Sequence, residues 1–109
     1  YRLDARKCIS WFTIENRQTI PDELKPQWRD WIFGCDICQE VCPWNQKAQS
    51  HVERNFQPLE AITAFQMTDW EKLTQEDFER IFRHSPLSRA GFVGIKRNIQ
   101  FLKNIERKF

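Results

Sequence analysis

Four cysteines in the spacing C-x26-C-x2-C-x3-C-P constrain this chain more than any other feature. They are Cys8, Cys35, Cys38 and Cys42, with Pro43 following. Three of them cluster too densely to be unrelated buried thiols. Disulfides belong to exported proteins. The chain begins Tyr1-Arg2-Leu3-Asp4, with no Met and no signal-peptide pattern of basic, apolar and small residues. A structural zinc ion wants two C-x2-C knuckles or Cys/His pairs about one tetrahedral centre. Here one knuckle stands with Cys8 and Cys42, and His51 and His84 are remote extras.

An iron–sulfur cubane needs four thiolates at its corners. The bacterial ferredoxin run is C-x2-C-x2-C-x3-C-P, and its fourth cysteine ligates the other cluster of a pair. The string Cys35-x2-Cys38-x3-Cys42-Pro43 is that run with its middle step missing. On this reading Cys42 serves a different cluster from Cys35 and Cys38. Cys8 is the one remaining cysteine that can join those two, so Cys8, Cys35 and Cys38 form three corners of one [4Fe-4S] cluster. The other ligands are expected upstream, in a longer protein of which this chain is a piece.

The rest of the sequence reads as helix. Asp4 can cap a segment running to about Asn16, and Pro21 opens a second helix whose apolar face is Trp28, Trp31 and Ile32 and which Gly34 ends. Residues 45–57 are polar and without period, hence a surface loop. Short helical turns are expected at 59–65 and 69–73. Thr74 heads a helix with Asp77 three residues on and Phe78, Ile81 and Phe82 as its buried face, and Ser85-Pro86 breaks it. The last helix runs from about Ser88 to Arg107, with Phe92, Ile95, Ile99 and Leu102 as a buried stripe. Gly91 and Gly94 inside it suggest close approach by another backbone or a ligand, or a frayed first turn. With only 3 Gly and 5 Pro in 109 residues and no alternating run of useful length, the fold class is mainly α. No apolar run approaches the ~20 residues of a membrane helix. Five Trp among a 14% aromatic content exclude a disordered chain and mostly belong to the core. Trp44, beside Cys42, is the exception that could shield a cluster.

Charge is segregated. From Arg80 to the end there are eight Lys or Arg against one acid, Glu106, while the first 79 residues hold nine basic and fourteen acidic groups. Arg89, Lys96, Lys103 and Arg107 fall within about one 40° sector of the terminal helix at ~100° per residue. Such a row suits a polyanion, and it equally suits a solvated face.

Leu3-Asp4-Ala5-Arg6-Lys7-Cys8-Ile9-Ser10 with Thr13-Ile14-Glu15 resembles a segment of the epoxyqueuosine reductase family. So does Gly34-Cys35-Asp36-Ile37-Cys38-Gln39, continuing to Cys42-Pro43-Trp44-Asn45. Ser88-Arg89-Ala90-Gly91 with Arg97-Asn98 resembles a later stretch of the same family. The likeness is strong over residues 1–45 and moderate over about 85–100. It implies cytoplasmic enzymes that reduce epoxyqueuosine to queuosine in tRNA, with two [4Fe-4S] clusters in a ferredoxin-like domain and a cobalamin in an N-terminal domain. It further implies that Cys8, Cys35 and Cys38 ligate one cluster and Cys42 the other. The row Arg89, Lys96, Lys103 and Arg107 would then meet tRNA.

The expected organisation is the second half of the cluster domain at 1–45 and a helical region with a basic terminal helix at 46–109. The first cysteine run, the cobalamin domain and its proton-donating acid are not in this sequence, so the piece alone should be inactive. Its partners would be tRNA, the missing N-terminal domain and an electron donor, without a membrane. Two other functions stand beside this one: a zinc-stabilised nucleic-acid-binding module, and the cluster domain of a cobalamin-dependent reductive dehalogenase. Pro43-Trp44-Asn45 and the residues around Cys8 favour the tRNA enzyme over the dehalogenase.

Overall fold

A computed structural model describes residues 2–106, and Arg107 with the rest of the C-terminus lies outside the described residues. Among these residues there are helices and 3-10 turns and no strand, so the mainly α expectation holds. The organising element is the terminal helix, Leu87–Glu106, designated α6 below. Its apolar residues face two ways. Ala90, Ile95 and Ile99 join Leu73, Phe78, Phe82 and Leu87 in one core. Phe101 and Leu102 join Phe12, Ile20 and Trp28 in the second. One helix therefore welds the start of the chain to its end, and the second core draws on both.

The remaining helices are short: α1 Ile9–Ile14, α2 Ile37–Glu40, α3 Glu60–Ala64, α4 Met67–Lys72 and α5 Gln75–Phe82. Helices this short are marginal alone, and packing against a neighbour stabilises them. Helix α5 begins where the sequence placed it, with the Thr74 hydroxyl accepting the Asp77 amide at 3.2 Å. The short helical turns expected at 59–65 and 69–73 are α3 and α4, the latter started by a Gln66–Asp69 capping box.

Three expectations give way to finer structure. The helix expected over 4–16 is a 3-10 turn, Ala5–Lys7, followed by α1. The Asp4 carboxylate takes the amide of Arg6 only two residues on, which closes a tight turn, and Cys8 then adopts an extended backbone at ψ 114. The second helix is a 3-10 turn, Asp22–Gln27, that stops at Trp28. Pro26 inside it cannot donate a backbone bond. Arg29 at φ +56 then reverses the chain, leaving Trp31 and Ile32 on irregular backbone. Finally, α6 is broken at Gly91, whose φ of +75 no other residue adopts readily. Gly94 answers to no foreign backbone: an added Cβ would meet only Ala90 of its own helix, at an ordinary 3.6 Å.

The junction between α6 and the rest is polar at its centre. Asn98 is 0% exposed, and its amide donates to the carbonyls of Thr13 (2.9 Å) and Ile32 (2.8 Å). Its own oxygen accepts from Nε and Nη2 of Arg97. Arg97 also donates to the carbonyls of Phe12, Asn16 and Gln18, so all of its five donors are occupied. Burial, and secondarily the charge of Arg17, push the Arg97 pKa down from the usual arginine value, though a guanidinium stays protonated. Replacing Asn98 by Ala strands two carbonyls without a donor. Urea titration should show a loss of about 2–5 kcal/mol, against a change within about 0.5 for the exposed Gln100→Ala.

Candidate cluster-binding site

Cys8 stands at the start of α1, and Cys35, Cys38 and Cys42 lie before, within and just beyond α2. Cys8 links the first 3-10 turn to α1 and caps that helix through its carbonyl, which accepts the Phe12 amide at 3.2 Å. Cys35 follows Gly34, a left-handed glycine at φ +74. Cys38 lies on the single turn of α2, and Cys42 lies just beyond it.

The loop at Cys42 is closed by two side chains from the sequence string that carried the resemblance. Asn45 Nδ2 donates to the Gln39 side-chain oxygen at 2.8 Å and to the Gln39 carbonyl at 3.2 Å. The Asn45 amide also reaches the Cys42 carbonyl at 3.1 Å. A polar pair six residues apart gave no periodic signal, and only the loop geometry reveals its use.

The Cys35 turn is fastened to the Cys8 helix by one hydroxyl. Thr13, fully buried on α1, accepts the Gly34 amide at 2.9 Å and donates to the Ser10 carbonyl at 3.0 Å. All four cysteines are free thiols. Cys8, Cys35 and Cys42 are half-buried and Cys38 is exposed. Among the described residues no three His, Cys, Asp or Glu side chains close on one point as ligands of a single ion. The donor set is all sulfur, which suits iron–sulfur clusters and zinc rather than hard cations. Trp44, beside Cys42, is 90% exposed. Trp28, by contrast, is a core residue at 0% exposure, with its ring nitrogen donating to the Trp31 carbonyl at 2.9 Å. His51 and His84 are both exposed, and among the described residues neither joins the cysteines in a common ligand group.

The basic groups of the terminal helix are engaged within the chain. Arg89 forks onto the Glu15 carboxylate through Nε and Nη2. Lys96 Nζ donates to the carbonyls of Trp70 and Glu71 at the end of α4 and lies 5.7 Å from the Phe92 ring centre. Lys103 pairs with Glu71 at 3.3 Å. The break at Gly91 also puts Arg89 on a different turn from the other two. The continuous row is therefore Lys96 and Lys103, and Arg107 lies outside the described residues.

Comparison with known proteins agrees with the cysteine spacing. A family model described as a 4Fe-4S double cluster binding domain matches residues 1–45, the stretch that holds all four cysteines. Residues 1–45 are thus of the 4Fe-4S cluster-binding class. Within it, the relatives of this chain are epoxyqueuosine reductases. The enzyme of that name from Leadbetterella byssophila is 47% identical over 105 residues, covering 96% of this chain and 34% of its own length. The Escherichia coli (strain K12) enzyme is 38% identical over 99 residues, covering 91% of this chain and 26% of its own. A crystal structure of epoxyqueuosine reductase with an epoxyqueuosine-modified tRNA-Tyr stem loop superposes with a TM-score of 0.77 at 29% identity. That match covers 92% of this chain and 26% of that one. The chain spans about a third of the length of the first of these relatives, and the match runs through the middle residues that the sequence left undiagnosed. No described helix is long and apolar enough to cross a membrane.

The Arg89 guanidinium holds the Glu15 carboxyl below its ordinary value of 4.5, through the hydrogen bond first and the charge second. A depressed carboxylate pKa stabilises the fold above the unfolded value, and that stabilisation is lost as pH falls through the folded one. Arg89→Ala should therefore lower the urea midpoint at pH 7, and the two proteins should converge once the pH has fallen through the depressed Glu15 value. A gap that persists unchanged at low pH would show that the Arg89 side chain acts through packing instead.

Proposed function

We propose that this chain is the electron-transfer part of an epoxyqueuosine reductase, with residues 1–45 supplying cluster ligands and residues 46–109 supporting them. The observation that carries this is the placement of four free thiols at the start of α1 and around α2 within residues 1–45, with the Cys8 and Cys35 segments fastened at Thr13. Cys8, Cys35 and Cys38 hold one [4Fe-4S] cluster and Cys42 belongs to the other, each completed by cysteines outside this chain. Bound clusters supply one-electron transfer, directed here toward a cobalamin carried elsewhere in the full protein. What these residues do is hold thiolate sulfur at fixed positions, close the Cys42 loop with Gln39 and Asn45, and keep the Cys35 turn left-handed at Gly34. On this reading the chain alone does not turn over epoxyqueuosine. Its partners are tRNA, the rest of the same protein and a reductant.

The ligand split is tested in a full-length reductase bearing this segment. Cys38→Ala and Cys42→Ala should each leave about half of the iron and spare different clusters, because each thiol is a corner of only one. Identical spectroscopic loss in both variants would refute the split.

The tRNA reading for Arg89, Lys96, Lys103 and Arg107 rests on the relative solved with an RNA stem loop and on the charge of the last helix. An exposed cation paired to a carboxylate still presents its outer face to a phosphate, and 68% of the Arg89 side chain is open. Lys96 and Lys103 also pin α4 to α6, so their loss has two consequences to separate. Lys96→Ala with Lys103→Ala should raise the KM for tRNA and flatten the salt dependence by up to about one unit of slope per phosphate contact. Iron content should stay unchanged. A lowered melting temperature with an unchanged salt slope would mean that these lysines are structural only.

A further inference from the structure

We infer that Thr13 is a positioning residue for the cluster held by Cys8, Cys35 and Cys38, and that it acts by locking the Cys35 turn onto the Cys8 helix. The inference rests on the cluster reading above and adds a residue that ligates nothing.

The Thr13 hydroxyl makes the side-chain hydrogen bond that bridges α1 and the Gly34–Cys35 turn. It is 0% exposed, and both of its roles are in use: it donates to Ser10 and accepts from Gly34. Its backbone carbonyl is held in turn by Asn98, which also holds Ile32 just before the turn. The Cys35 turn is thus fixed at two points, Ile32 and Gly34, to a single rigid reference made of α1 and α6. Cys8 caps the same α1. The distance between two ligands that lie far apart in sequence is consequently set by buried hydrogen bonds and not by the ligands' own loops. Groups that orient metal ligands in this way commonly change affinity by about 10–100-fold when removed.

The Cys42 loop has a separate fastening, Asn45 to Gln39. Loss of the Thr13 hydroxyl should therefore be felt by one cluster and spared by the other. A general loss of stability would weaken both, and this difference separates positioning from mere support.

The experiment uses a full-length reductase carrying this segment, reconstituted and compared as unaltered protein, Thr13→Val and Thr13→Ser. Val keeps the shape and removes the oxygen, so the Gly34 amide is left without an acceptor. Ser keeps the oxygen. Cluster loss to an iron chelator is followed spectroscopically, together with the electron paramagnetic resonance of the reduced protein and its thermal melting. In Thr13→Val one cluster should be released about 10-fold faster or more, with an altered resonance, while the second keeps its signal. Thr13→Ser should restore both the release rate and the resonance. The inference is overturned if Thr13→Val releases both clusters equally fast, if it matches the unaltered protein in rate and resonance, or if Thr13→Ser fails to restore them. If the unaltered protein binds no iron–sulfur cluster, the cluster reading itself fails and this inference falls with it.

Discussion

The buried amide of Asn98 is the interaction on which the rest of the structure depends. It sits on the terminal helix and reaches two backbone carbonyls that lie 85 and 66 residues away in sequence. Burying an amide without partners is costly, and here each of its polar atoms is used. Arg97 orients the amide by donating to its oxygen and spends its other donors on the Phe12 carbonyl of α1 and on the Asn16 and Gln18 carbonyls that follow it. The apolar residues on either side, Ile95 with Ile99 and Phe101 with Leu102, supply the driving force for docking. They do not choose the register. A hydrophobic stripe tolerates small slides, whereas a hydrogen-bonded hub at its centre does not.

That division of labour explains how short, irregular segments can carry a site. The cysteine-bearing stretch from Gly34 to Asn45 contains one turn of α-helix and little buried surface. Its order comes from three anchors: Ile32 on Asn98, Gly34 on Thr13, and Asn45 on Gln39. The left-handed backbone at Gly34 belongs to the same arrangement, because the amide that Thr13 accepts comes from that residue. An added Cβ at Gly34 would meet no atom, so the requirement for glycine is conformational and not one of space.

Much of this was legible in the sequence, and the limits were physical. The stripe of Ile95, Ile99 and Leu102 was visible because burial repeats with the helix period, and all three are buried. The cap at Thr74 was visible because its chemistry is local. The class of site was visible because metal-ligand spacing is itself a pattern. Arg97 and Asn98 were visible only as part of a resemblance. A polar pair in a helix reads as surface until the carbonyls it serves come from far along the chain. The break at Gly91 was hidden for a related reason. A glycine costs a helix little enough to be tolerated, so its presence alone does not separate a kink from a continuous turn. The row from Arg89 to Lys103 looked continuous because helical phase was carried across that break.

The segregation of charge also takes on a different meaning in three dimensions. Read along the chain, it marks a basic end that awaits a polyanion. In the fold, the acids of the earlier residues meet that end: Glu15 takes Arg89, and Glu71 takes Lys103. Lys96 caps the carbonyls at the end of α4, a favourable place for a cation at the negative pole of a helix, even a short one. Each exposed pair contributes little alone. Their combined effect is to favour one orientation, because a terminal helix rotated away from these partners would leave Arg89, Lys103, Glu15 and Glu71 unpaired with each other. Contacts to RNA at this helix would thus draw on cations whose positions are already set by internal carboxylates and carbonyls. Binding there would require little further ordering of the side chains, which favours affinity by reducing the entropy lost on association.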